Sequence, residues 1–146
     1  MEVKILPVSR EDLETIYEIE LECFGEDAYP KYLFEYVLEK KNTVFLKAVV
    51  DNVIAGFILA TYHSRECTIL TINVRKAYRN MGIGSNLLKT LEKEVEKMNI
   101  EKIILQVEVS NKTAVEFYLK RGYRISRLIK NYYGLGRDAY EAFKKL

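Results

Sequence analysis

The sequence predicts an α/β fold of the α+β kind, a mixed central sheet of about seven strands flanked by about four helices. Three observations predict it. Apolar residues at helical spacing alternate with β-branched runs in the order β-α-α-β-β-β-α-β-α-β-β. No repeat, low-complexity tract or Pro/Gly-rich linker divides the chain, so residues 1–146 are expected to form a single domain. A length of 146 residues with 49% apolar side chains is enough to bury a core.

Lys4 to Val8 reads as a short strand. Ser9, three residues before Asp12, is a variant of the capping box, and Leu13, Ile16, Tyr17 and Leu21 then follow at helical spacing to about Cys23. Gly25 to Tyr29 is expected to be a loop. Pro30 suits the first turn of a second helix to about Lys40, with Leu33, Phe34 and Val37 on one face. Thr43–Val50 and Val53–Tyr62 are β-branched runs joined by Asp51-Asn52, a pair that tolerates positive φ, so they predict a hairpin. Cys67 to Val74 is the next strand, with His63 in the loop before it. Leu87, Leu88, Leu91, Val95 and Met98 mark an amphipathic helix from Ile83 to about Asn99. Lys102 to Val109 reads as a buried strand, and Asn111 as the cap of a helix that stops at Gly122. Tyr123–Lys130 and Ala139–Lys145 close the sheet.

The 23 basic and 21 acidic side chains leave a net charge of +2, which gives no concentrated basic surface for nucleic acid. No stretch approaches the roughly 18 apolar residues of a membrane span, and the first residues lack a signal peptide's apolar core. A cytoplasmic protein is expected. Cys23 and Cys67 have no metal-ligand spacing, so no metal site is expected, and both are read as free, mostly buried thiols.

The segment Arg79-Asn80-Met81-Gly82-Ile83-Gly84 stands between a strand and a helix. The first N–H groups of a helix have no internal partner and carry partial positive charge. Gly82 and Gly84 lack side chains, so a phosphate can approach the backbone there, with Arg75, Lys76 and Arg79 nearby. The arrangement suits a pyrophosphate, although two glycines at a helix start also serve as plain turn residues. A dinucleotide fingerprint is excluded because Leu87 stands where its third glycine would be, and the lysine-containing P-loop motif is absent.

Arg79-x-x-Gly82-x-Gly84 resembles the acetyl-CoA loop of the GNAT acetyltransferase superfamily. That resemblance implies the GNAT fold and a cofactor site with acetyl-CoA as cosubstrate. Its loop spans Arg79, Asn80, Met81, Gly82, Ile83 and Gly84, and backbone groups of Ile72, Asn73 and Val74 carry pantetheine. A second segment, Ser110-Asn111-x-x-Ala114-x-x-Phe117-Tyr118 ending in Gly122-Tyr123, resembles GNAT proteins of the RimI type and other protein N-terminal acetyltransferases. By that resemblance Asn111 is both helix cap and cofactor ligand, and the Tyr118 hydroxyl acts as general acid toward the departing CoA sulfur. A thiol with pKa about 8.5 leaves readily enough for such a donor to suffice. Lys130-Asn131-Tyr132-Tyr133 with Gly136-Arg137-Asp138-Ala139 resembles the acceptor-side segment of the same enzymes, and Asp27-Ala28-Tyr29-Pro30 with Tyr32 and Phe34 resembles the aromatic loop facing it. Tyr29, Tyr32, Gln106, Tyr132 and Tyr133 are therefore the expected acceptor-binding residues.

The pattern departs from the family at the base. Gln106 stands where relatives carry Glu or His, and Thr68 where others carry Tyr. Glu108, two residues along the same strand face, is the nearest carboxylate and the expected base if a side chain serves. An α-amine titrates near 7.7–8.0 and lysine near 10.4, so lysine is harder to deprotonate by roughly 3.4 kcal/mol. A weak base therefore favours α-amines. The expected activity is acetylation of protein or peptide N-termini by direct transfer. The alternatives are a small-molecule amine acetyltransferase and a non-catalytic acyl-CoA sensor or complex subunit. The sequence leaves a homodimer or an auxiliary subunit open.

Overall fold

The computed structural model describes residues 1–146. One seven-stranded sheet runs through it in the order β1-β2-β3-β4-β5-β7-β6. The strands are β1 (Val3–Pro7), β2 (Thr43–Val50), β3 (Val53–His63), β4 (Glu66–Val74), β5 (Lys102–Glu108), β6 (Arg124–Gly134) and β7 (Arg137–Lys145). Four helices flank it: α1 (Leu13–Phe24), α2 (Lys31–Leu38), α3 (Ile83–Lys97) and α4 (Lys112–Lys120). The α/β class, the strand number and the element order follow the expectation.

Local chemistry sets the boundaries. The Asp12 carboxylate accepts the Ser9 N–H at 2.8 Å and the Ser9 hydroxyl at 3.0 Å, which closes a 3₁₀ turn leading into α1. Asp51 and Asn52 both take positive φ in the β2–β3 turn. His63 ends β3 instead of lying in a loop, because Ser64 adopts φ +56° and lets a two-residue turn pair His63 with Glu66. β6 runs on to Gly134, past the expected Lys130, by means of a bulge around Asn131 at φ +57°.

The two faces of the sheet are packed separately. On one face α1 and α2 enclose Ile16, Ile19, Phe34, Phe45, Phe57 and Leu59. The Phe34 and Phe57 rings meet edge to face with centroids 5.8 Å apart. On the other face α3 and α4 cover the larger core, into which α3 inserts Ile83, Leu87, Leu88, Leu91 and Val95. Burial of each such side chain contributes about 1.5–3 kcal/mol.

All neighbouring strands are antiparallel except β4 and β5. These run parallel and pair only at Glu66–Lys102, Cys67–Ile103 and Thr68–Ile104. Beyond Thr68 the two strands part, so the rest of β4 and β5 borders a gap in the middle of the sheet. On its other edge β4 carries one extra residue, Leu70, opposite the step from Leu59 to Ala60 of β3. Such a bulge bends the strand and reverses which side chains face which layer.

Gly56 of β3 permits close approach to the end of β4. A Cβ there would stand 2.3 Å from the Asn73 carbonyl oxygen. Backbone has to move to relieve that contact, so Gly56→Ala is expected to destabilise the fold by about 1–3 kcal/mol. Urea unfolding measures it, and an unchanged midpoint would refute the clash.

Candidate active site

The parted half of β4 presents free backbone groups. Arg75 donates its N–H to Ala55 of β3 at 2.8 Å. The alternation of an extended strand therefore turns the N–H groups of Ile72 and Val74 the other way, into the gap. The Asn73 side chain faces α1 at 3% exposure and its carbonyl lies against Gly56 of β3, so of the three expected residues Asn73 turns its polar groups away from the gap.

Gly82 caps α3 in the left-handed region at φ +80°, and a Cβ placed there would have nothing within 4 Å. The first intrahelical bond runs from the Asn86 N–H to the Gly82 carbonyl at 3.0 Å, and the N–H groups of Ile83, Gly84 and Ser85 donate to no protein group. This is an open anion cradle of the kind a diphosphate fits. Asn80, at φ +63°, and the half-exposed Met81 form the approach. Gly84 serves packing, since a Cβ there would touch the Phe117 ring of α4 at 3.4 Å.

The basic residues before the cradle are not all free to face an anion. Arg75 pairs with Glu18 and Glu22 of α1 at 3.9 and 3.8 Å. Arg79 donates Nε–H to the Val74 carbonyl at 3.0 Å and Nη2–H to the Cys23 sulfur at 3.6 Å, bracing the loop against the strand. Cys23 is half-buried and Cys67 fully buried, both as free thiols. The cations that sequence reasoning missed lie elsewhere. Lys89, Lys120, Arg121 and Lys144, with Ser85, line a cavity of about 430 Å³ between α3 and α4. Glu92 at its wall accepts bonds from the Tyr123 hydroxyl at 2.9 Å and Lys144 at 3.2 Å. Their scatter over α3, α4 and β7 hides the cluster in the sequence.

Asn111 is the N-cap of α4 and accepts the Ala114 N–H at 3.2 Å. Tyr118 projects from α4 at 7% exposure, its ring edge-on to Phe117 and Tyr123 at centroid distances of 5.2 and 5.6 Å. Its hydroxyl makes no bond to a protein group. Burial, and secondarily the nearby Tyr133 phenol, push its pKa well above the ordinary tyrosine value. Tyr118 is thus a hydrogen-bond donor at any working pH. Full proton transfer to a thiolate is correspondingly less favourable.

On the acceptor side, Tyr132 and Tyr133 meet edge to face at 4.9 Å on the bulged β6. Burial pushes Tyr133 up to about 12, with Tyr132, Tyr29 and Glu108 adding to it. Tyr29 is raised by burial and then by Tyr132. The loop that carries Tyr29 meets the β6–β7 end through the Asp27–Arg137 ion pair, 2.8 Å across. Tyr32, on the first turn of α2, is 73% exposed. Gln106 donates to Glu141 of β7 at 3.0 Å.

Arg137 ties the acceptor side together. Its guanidinium donates to both Glu108 oxygens at 2.7 and 3.0 Å and to both Asp27 oxygens at 2.8 and 3.1 Å, 5.8 Å from the Tyr133 ring centre. The bonds from Arg137 hold the carboxyls of Glu108 and Asp27 below their usual range. The base role expected of Glu108 meets a physical obstacle here, because a carboxylate stabilised in this way accepts a proton less readily. Asp27 and Arg137 lie 110 residues apart, and no sequence signal pairs them.

A carboxylate that sequence reasoning passed over is buried beside this group. Glu20 of α1 is 1% exposed and reaches both β4 and the Tyr29 backbone. Its signal was present, since Leu13, Ile16 and Glu20 share one helix face and an acid interrupts the apolar row.

Comparison with known proteins agrees with this geometry. The model of the acetyltransferase (GNAT) family matches residues 13–123. An uncharacterized N-acetyltransferase of Methanocaldococcus jannaschii is 37% identical, over 94% of this chain and 88% of its own length. An N-alpha-acetyltransferase of Saccharolobus solfataricus is 31% identical, over 89% of this chain and 85% of its own. The crystal structure of Ard1 from Thermoplasma volcanium superposes with a TM-score of 0.91 at 28% identity, covering 99% of this chain and 97% of that one. Structures of this fold have been solved with coenzyme A or acetyl-CoA bound.

Proposed function

The chain belongs to the GNAT acetyltransferase family and is an acyltransferase that uses acetyl-CoA, and on that premise we propose that it acetylates the α-amino group of protein or peptide N-termini. The observation that carries the acceptor class is the facing pair of aromatic segments, Tyr29 against Tyr132 and Tyr133, closed by the Asp27–Arg137 ion pair. Rings of this kind grip an extended peptide by stacking while its first residue enters the gap. The N-alpha-acetyltransferase relatives support the same acceptor. A polyamine acceptor would call for free carboxylates at this opening, and Arg137 engages both Glu108 and Asp27.

The N–H groups of Ile83, Gly84 and Ser85 are suited to the diphosphate of the cosubstrate, and the basic cavity between α3 and α4 to its remaining phosphate. The backbone N–H groups of Ile72 and Val74 border the gap where the thioester oxygen gains charge. The neutral α-amine attacks the thioester carbon, the C–N bond forms and the C–S bond breaks. Tyr118 donates a hydrogen bond to the departing thiolate, and the amine proton leaves to water. We assign to Glu108 the anchoring of Arg137 rather than proton abstraction.

An α-amine with pKa near 7.7–8.0 is partly neutral at pH 7, so no strong base is needed. Only the neutral amine reacts, so kcat/KM is expected to rise as pH increases through about 7–8 and to level off above. In Glu108→Gln that rise stays at the same pH with kcat within about threefold. A loss of about 10²-fold would instead make Glu108 the base. The acceptor class is tested by a free-thiol assay with acetyl-CoA and short peptides varied at their first two residues, with Nα-blocked lysine peptides and polyamines as controls. Faster turnover of polyamines than of every peptide would reject the reading.

A further inference from the structure

The two polar residues buried on β4, Thr71 and Asn73, lie on the α1 face, 5% and 3% exposed, and both converge on Glu20. The Glu20 Oε1 atom accepts from the Thr71 hydroxyl at 2.9 Å and from the Asn73 amide at 2.8 Å. The Asn73 amide also donates to the Thr71 hydroxyl at 3.0 Å. Oε2 accepts the backbone N–H of Tyr29 at 3.0 Å. One oxygen thus holds the strand whose backbone borders the thioester position, and the other holds the loop that forms one wall of the acceptor opening.

The chemistry of this bracket is costly. Glu20 is 1% exposed, and every group that donates to its carboxyl oxygens is neutral. An apolar residue in the same row of α1 would bury similar area without desolvating a carboxylate. Stability therefore does not account for it, whereas geometry does. A carboxylate with fixed donors on both oxygens sets a distance between two elements more sharply than apolar packing does. A misplacement of about 1 Å between reacting groups lowers turnover by about 10²-fold.

We propose that Glu20 is the positioning residue of the transfer, fixing the acceptor loop at Tyr29 relative to the Thr71–Asn73 segment of β4 so that amine and thioester meet at reacting distance. It rests on N-terminal acetylation as the reaction, and it assigns Glu20 no contact with either substrate.

The test measures steady-state kinetics per folded enzyme, acetyl-CoA affinity by calorimetry and thermal melting for wild type, Glu20→Gln, Glu20→Ala and Thr71→Val. Glu20→Gln, which keeps shape and volume but turns one acceptor into a donor, is expected to lose about 10-fold in kcat, and Glu20→Ala about 100-fold. Acetyl-CoA affinity should stay within about threefold, because the cradle at Ile83–Ser85 lies beyond this bracket. Thr71→Val should show part of the Gln effect, and the double variant no more than the larger single loss. The pH rise of kcat/KM should remain where it is in wild type. A lower melting temperature with kcat within about twofold of wild type would make Glu20 purely structural and overturn the inference. Disappearance of the pH rise in Glu20→Gln would make it a base and overturn it equally. Should Glu20→Ala not fold, Glu20→Gln and Thr71→Val decide alone. A wild type that releases no thiol with any peptide rejects the reaction itself, while an active wild type with undiminished variants rejects only the role of Glu20.

Discussion

Tyr118→Phe is expected to lower kcat by about 10²-fold while acetyl-CoA affinity stays within about twofold of wild type. The ring of Tyr118 packs between Phe117 and Tyr123 and is nearly buried, so Phe fills the same space and the fold is retained. The substitution removes only the hydroxyl, which no protein group engages. A donor aimed at a charge that develops only in the transition state contributes to kcat and little to ground-state binding. Burial has raised the Tyr118 pKa, which on the proposed mechanism favours a hydrogen bond to the leaving sulfur over a completed proton transfer. Stopped-flow thiol release and calorimetry separate the two quantities, and an unchanged kcat would remove Tyr118 from the mechanism.

Gly82→Val is expected to raise the dissociation constant of coenzyme A by about 10–100-fold, equivalent to one or two lost charge-assisted hydrogen bonds. Two effects combine. A β-branched residue at φ +80° carries a backbone strain of about 1–3 kcal/mol. The added side chain would also occupy the open space where a Cβ meets nothing within 4 Å, in front of the N–H groups that await the diphosphate. Thermal melting separates strain in the free protein from lost affinity. Equal affinity in a folded Gly82→Val would mean that the loop is only a turn.

The architecture was legible because its signals are local. The apolar row of α3 and the β-branched runs of β2 and β3 each declare their element within a few residues. Boundaries failed where a non-glycine residue takes positive φ without a turn motif, as at Ser64 before β4 and at Asn131 within β6. The open start of α3 and the cap of α4 were legible for the same reason, since Arg79 to Gly84 and Asn111 to Tyr118 are contiguous segments. The acceptor side was legible in its tyrosines and opaque in its charges. Glu108 reads as a base along β5, and only its bonds to Arg137, 29 residues away, reveal the obstacle to that role. Arg75 reads as a phosphate ligand until Glu18 and Glu22 of α1 are seen to claim it.

The extra residue at Leu70 makes the arithmetic of chain length part of the chemistry. Before it, Cys67 and Ile69 point toward α3, and after it Ile72 and Val74 do, so the odd-numbered Thr71 and Asn73 turn to Glu20. Were the strand to run straight through that position without the bulge, a threonine and an asparagine would turn into hydrocarbon and isoleucine and valine would come up against a carboxylate, although no letter of the sequence had changed.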